Sequence, residues 1–282
     1  MPSLRSSLYK ALIVKDSASK ILLAPLKDNH KKVCATEKIF DGSFIKVALE
    51  KEISECIFVH AGLSRLKNFQ NAGDSYLFLL SQLKSFFKTV LAPGFTPSFR
   101  HSGIYHVNFS IPEYGAWSRL FLKDADFRTN DAIHSILGIG DEFDFSKCNH
   151  QDSFGKDSCF YELVKNNVLI ANIATDDFVC TLIHCLEKIN NTSYILEDLV
   201  EGEVYTNNTN HFHVTQSNYK PCFRYIWDRK KILSDCKKAG ILHDYSCHGI
   251  ILYFFKAGDF FDFISGKMKA DRFYLLKWGG LL

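Results

Sequence analysis

Val168-Leu-Ile-Ala-Asn-Ile-Ala174, continued at 175–189 by TDDFVCTLIHCLEKI, carries the architecture in miniature. Seven nearly unbroken apolar residues read as a strand buried on both faces, as parallel strands are. Thr175-Asp176-Asp177 reads as a turn. Phe178–Ile189 then reads as a helix, with Asp176 or Asp177 as its N-cap. A buried strand that feeds a helix through a short turn is half of a βαβ unit, and it places the helix start at the C-terminal edge of a sheet.

The same alternation extends in both directions. Residues 44–52 read as a short helix, and Cys56–His60 (CIFVH) as a strand entering the turn Ala61–Ser64. Gly73–Phe87 has helical spacing at Leu77, Leu80, Leu83 and Phe87. Val90–Ala92 is a short strand stopped by Pro93-Gly94. Residues 93–116 form a long irregular connection of the kind that is functional or mobile in a compact domain. Ile133–Ile139 and Ile250–Phe255 read as strands. Cys159–Asn166, Arg229–Ala239 (with Gly240 as its C′ residue) and Ala257–Met268 read as helices. Residues 203–227 alternate like paired strands around Asn207-Asn208, and 274–278 close the chain. The expected fold is α/β: three α/β/α layers with a mostly parallel central sheet. Residues 1–40 form an N-terminal extension or cap, and 41–282 the main domain.

Composition narrows the classes. The 282 residues are 46% apolar and 23% charged, and Phe 25 and Tyr 12 favour a sheet-rich core. Collagen, coiled coil and disordered tail are excluded. Nine cysteines, an odd number without a CxxC pair, argue against a disulfide framework and against zinc. Buried reduced thiols fit a cytoplasmic protein. No apolar run approaches a spanning length, so no membrane insertion is expected. A net charge of +3 without a binding motif excludes nucleic acid as an expected partner. The charge is uneven: Tyr219–Trp278 holds 12 Lys/Arg against 6 Asp/Glu. Its densest patch, Asp228-Arg-Lys-Lys231, is either a solvated helix face or an anion site.

Thr181, His184 and Glu187 recur at i, i+3, i+6 and share one helix stripe. An imidazole flanked by a hydroxyl and a carboxylate can act as a base on an amine during acyl transfer; a structural histidine on an apolar helix is the alternative. His211-Phe-His213 shares a strand face but lacks a third ligand, so no metal site is expected. Cys185 points away from its neighbour His184, and a Cys–His nucleophile pair is not expected.

Several segments, in order, resemble the aminoglycoside 3-N-acetyltransferase (antibiotic N-acetyltransferase) superfamily. FVHAGLSRL (58–66) is similar to its strand-to-turn VHSSLSSLG, and LAPGFTPSF (91–99) to its MPTFT segment. FRTNDAIHSILGIG (127–140) resembles its RS-x-x-P-x-HS stretch, DSFGKDSCFYELVKNNVLI (152–170) its turn, helix and strand, and TLIHCLE (181–187) its T-x-x-H-x-x-E. The run 249–276 resembles its strand–helix ending. The likeness spans roughly residues 40–276.

What the resemblance implies is an acetyl-CoA-dependent N-acyltransferase domain with a fold unlike GNAT. His184 is then the general base, Thr181 an oxyanion or thioester contact, and Glu187 or Asp228 the assisting acid. Acetyl-CoA would meet the turns bearing His60, Ala61, Gly62, Leu63 and Ser64, then Arg128, His134 and Ser135, then Gly155 and Ser158. The family's HSS is His60-Ala61-Gly62 here, and its proline is Ala132. The basic C-terminal third fits an anionic acceptor better than a polycationic aminoglycoside. Relatives in the resembled superfamily acylate amino sugars on nucleotide carriers for surface polysaccharide such as lipopolysaccharide, and the resemblance thus implies a primary amine of such a sugar as the expected acceptor. An aminoglycoside acceptor and a non-catalytic CoA- or sugar-binding relative are the alternatives. A homodimer is compatible with all three.

Overall fold

The computed structural model describes residues 42–66, 71–141, 143–175, 177–221 and 226–277. The extension expected over 1–40 and the residues after 277 lie outside these. In chain order the elements are α1 (Ser43–Leu49), β1 (Cys56–Ala61), a 3₁₀ turn (Leu63–Arg65), α2 (Ala72–Phe86), β2 (Thr89–Pro93), α3 (Phe99–Ser102) and β3 (Ile104–His106). There follow α4 (Gly115–Asp124), β4 (Phe127–Arg128), β5 (Ile136–Gly140), α5 (Cys159–Lys165), β6 (Leu169–Ile173) and α6 (Leu182–Ile189). The rest are β7 (Ile195–Tyr205), β8 (His211–Pro221), α7 (Arg229–Lys238), β9 (Leu242–Cys247), β10 (Ile250–Lys256) and α8 (Ala257–Ala270).

The apolar strands assemble into one seven-stranded sheet, ordered β4-β5-β2-β1-β6-β10-β9. Its centre is parallel: β1 pairs with β2 on one side and β6 on the other. Antiparallel strands flank this centre, β5 and β4 beyond β2, β10 and β9 beyond β6. The two-residue pleat sends Phe58, Leu91, Ile170 and Phe255 to one face, where α5, α6, α7 and α8 cover them. Ile57, Val59, Val90, Ala171 and Phe254 point to the other, under α1, α2 and α4. The result is the expected three-layer α/β/α arrangement. Each fully buried Leu, Ile or Phe on these faces contributes about 1.5–3 kcal/mol. A second sheet, β3-β7-β8, stands beside the main one.

Three boundaries differ from the sequence expectation, each for a local reason. The helix expected from Phe178 begins at Leu182. Asn172, fully buried on β6, accepts from Val179 N at 2.6 Å and donates to Val179 O at 2.8 Å, which holds the segment entering the helix out of helical form. Asp177 is therefore no helix cap; its carboxylate accepts from Phe178 N and pairs with Arg229. β5 starts at Ile136 rather than Ile133, because Asp131 Oδ1 accepts from Ile133 N (3.0 Å) and His134 N (2.8 Å) and folds those residues into a turn. β7 begins at Ile195, well before residue 203, and pairs along its whole length with β8. The turn at Asn207 is as expected: its Oδ1 accepts from Asn210 N at 2.7 Å.

Five elements escape the sequence reading: α3 and β3, which lie inside the connection expected to be irregular over 93–116, then α4, the short strand β4, and β9. α4 follows the long connection and buries Trp117 and Phe121, and β9 is an edge strand with mostly exposed residues. On α2, Leu77 faces solvent, and the buried stripe is Tyr76, Leu79, Leu80 and Leu83. Among the described residues no helix is long and apolar enough to cross a membrane.

Candidate active site

β1 and β6 run parallel at the sheet centre and end together, which brings His60 and the start of the 175–181 segment to one edge. Gly62 makes the closure feasible. Its N–H donates to Ile173 O at 2.9 Å, and a Cβ there would lie 2.2 Å from the Ala174 carbonyl oxygen. Glycine is required by backbone approach, a physical reason for the departure at this position.

Beyond that edge lies a cavity of about 430 Å³. Its walls include His60, Ala61, Phe95, His134, Phe154, Thr175, Thr181, His184, Tyr219, Trp227, Arg100 and Arg229. His184 is 32% exposed by its side chain, whereas the Glu187 side chain is 0% exposed. His184 Nδ1 lies 3.1 Å from Glu187 Oε2, and Trp227 Nε1 donates to Glu187 Oε1 at 2.9 Å. The imidazole is clamped between the rings of Phe154 (5.0 Å), Trp227 (5.0 Å) and Tyr219 (5.9 Å). With Glu187 ionised, Nδ1 carries the proton and Nε2 keeps the basic lone pair. This is the geometry of a general base oriented by a carboxylate.

Thr181 occupies the N-cap position of α6 without capping it; its Oγ1 lies 3.5 Å from His60 Nε2. Burial lowers the His60 pKa to about 4. His134 is lowered well below the usual imidazole value, by burial first and then by the charges of Arg100 and His184. Both rings are therefore neutral near pH 7. His134 Nδ1 lies 3.0 Å from Ser153 Oγ.

The remaining sequence candidates divide sharply. Asp228, the alternative assisting acid, caps α7 by accepting from Lys231 N at 3.2 Å, and Glu187 alone of the two contacts His184. Arg128 is a scaffold residue. Its guanidinium donates to Ser135 Oγ, Val107 O, Ser110 O and Gly94 O, and it lies over the Tyr105 ring. Ser135 in turn donates to Gly94 O. Neither is placed to meet a phosphate. Gly155 N and Phe154 N both donate to Asp152 Oδ1, so this turn uses its amides to hold Phe154 against His184. Ser158 caps α5, Leu63 is core, and Ser64 is exposed. Of the residues expected to meet acetyl-CoA, His60, Ala61 and His134 line the cavity.

Sequence reasoning missed Trp227, Tyr219 and Arg100, and it placed Phe154 in a turn expected to meet acetyl-CoA rather than against His184. Trp227 precedes the basic patch, and Phe154 lies inside a matched motif, but neither carries a local signal of what it touches. Cys185 is buried and its thiol pushed far up by burial, consistent with no nucleophilic role. His211 and His213 lie on an exposed strand, where His213 pairs with Glu203 at 3.1 Å.

Solved structures share this fold at low identity. AAC-IIIb in a binary complex with CoASH matches with a TM-score of 0.67 at 14% identity, over 81% of this chain and 94% of that one. The YokD protein from Bacillus subtilis matches with 0.66 at 12% identity, over 84% and 96%. Aminoglycoside acetyltransferase AAC(3)-IIb matches with 0.62 at 13% identity, over 82% and 97%. No curated protein sequence matches significantly. The model of the family described as aminoglycoside 3-N-acetyltransferase matches residues 58–269, the segment that builds the sheet, the cavity and the His184–Glu187 couple, and the chain is an N-acetyltransferase belonging to that family.

Proposed function

We propose that this enzyme transfers the acetyl group of acetyl-CoA to a primary amine of an amino sugar carried on a nucleotide, with His184 as general base. The observation that carries the reading is an oriented imidazole opening on a cavity whose described walls include two arginines and no carboxylate. A polycationic aminoglycoside favours carboxylate-lined walls. An acceptor bearing an anion does not.

In the proposed step, the neutral amine nitrogen attacks the thioester carbonyl carbon. The C–N bond forms as the amine proton passes to His184 Nε2. Collapse of the tetrahedral adduct breaks the C–S bond, and the imidazolium returns the proton to the departing thiolate. Glu187 holds the tautomer and stabilises the transient positive charge. Thr181 offers its hydroxyl to the developing oxyanion, and Ala61 and His134 line the route of the thioester arm.

The test is thiol release from acetyl-CoA with a panel of amino sugars, nucleotide-linked amino sugars and gentamicin. His184→Ala is expected to lower turnover by roughly 10²–10⁴, the range for losing a general base, while CoA still binds. Retained turnover removes His184 from the mechanism. Turnover confined to gentamicin replaces the acceptor by an aminoglycoside.

A further inference from the structure

Arg100 is the one cavity arginine that meets no carboxylate among the described residues. Arg229 is paired with Asp177. Arg100 Nε donates to the neutral amide oxygen of Asn218 at 2.7 Å. Asn218 is itself fixed, since its Nδ2 donates to Asp198 Oδ1 at 2.7 Å, and Asp198 pairs with Lys220. The chain α3–β8–β7 thus sets the guanidinium by one edge and leaves its terminal nitrogens without a protein partner among the described residues. Arg100 is half-buried and lines the cavity that also holds His184. A cation held in a largely aromatic cavity is costly unless an anion joins it. Its planar fork matches carboxylate and phosphate oxygens in pairs.

Resting on the acetyl-transfer reading above, we propose that Arg100 is the anchor for an anionic group of the acceptor, a phosphate ester in the first instance, and so decides which amines are acetylated. CoA also carries phosphates. They lie a full pantetheine arm away from the thioester, however, whereas Arg100 shares one small cavity with the base. The anion is therefore assigned to the acceptor.

The experiment uses the full chain and three matched probes: glucosamine, glucosamine 1-phosphate and glucosamine 6-phosphate. Binding is measured by calorimetry, and acetylation by thiol release. At least one phosphate probe is expected to bind the wild type about 10–100-fold more tightly than glucosamine, the worth of charge-assisted hydrogen bonds. Arg100→Gln is expected to bring that ratio close to 1, and Arg100→Lys to keep part of it. Equal binding of all three probes by the wild type overturns the proposal, as does a preference that survives in Arg100→Gln. A rise in the KM for acetyl-CoA that disappears with acetyl-pantetheine, beside an unchanged acceptor preference, reassigns the arginine to the donor and also overturns it. Because binding is read without turnover, these outcomes are separate from failure of the acetyl-transfer reading, which shows as no thiol release on any acceptor while the binding ratio stands.

Discussion

Glu187 sits between two donors that ask different things of it. Trp227 Nε1–H needs an acceptor at Oε1, and His184 Nδ1–H needs one at Oε2. A carboxylate serves both; an amide cannot. In Glu187→Gln the oxygen stays with Trp227, so the amide NH₂ faces Nδ1. That forces the imidazole proton onto Nε2 and removes the basic lone pair from the cavity. Turnover is expected to fall by about 10²-fold or more, with the KM for acetyl-CoA little changed and the melting temperature close to wild type. Steady-state kinetics beside thermal melts read this directly, and a drop in melting temperature that accounts for the lost turnover would argue for a packing role instead.

At the scale of elements, the site depends on a non-helical lead-in to α6. The sequence 178–189 reads as continuous helix, yet Asn172 captures the backbone of Val179 on both sides and delays the first turn to Leu182. This sets where Thr181 and His184 emerge. Asn172→Leu keeps the branched outline of the side chain but leaves the part-buried Val179 N–H and C=O without these bonds. It is expected to cost about 1–3 kcal/mol, because groups that water can partly reach lose less than fully buried ones. Activity per folded molecule should fall as well, because His184, the proposed base, is displaced. Urea melts with turnover measured on the folded fraction check both halves. Full activity of the folded fraction would mean that the helix start does not set the base. The hairpin β7–β8 acts at the same scale, since it brings Tyr219 to the cavity and Asn218 to Arg100.

For the whole molecule, burial of neutral imidazoles links stability to pH. His60 is held at about 4 against 6.5 in the unfolded chain, so the unfolded state takes up protons first as pH falls. His134 is depressed in the same sense. Their contribution is fully present above pH 6.5 and is lost progressively down to about pH 4. Asp131, raised from 3.8 to about 6 by burial, acts in the opposite direction over most of this window, from about pH 6 downward. With two imidazoles against one carboxyl, the net expectation is acid destabilisation between pH 6.5 and 4. His60 alone accounts for about 3 kcal/mol of it. Denaturant midpoints across this range should decline in the wild type and decline less in His60→Phe. Parallel curves for the two proteins would assign the acid limb to other groups.

The chemistry-bearing stripe, the alternation of strands and helices, and the three-layer fold were legible because hydrophobic period and spacing are local properties. CIFVH, VLIANIA and T-x-x-H-x-x-E each hold their signal within a few residues. The choice between Glu187 and Asp228 was not local. It turned on a tryptophan 40 residues away in sequence from Glu187 and on a helix that claimed Asp228 as its cap. Arg128 likewise looked like an anion ligand until the fold wrapped four acceptors around it. Residue types and periodicity fix which side chains are available. Only the tertiary arrangement decides which polar groups neutralise one another in the interior and which are left facing the cavity.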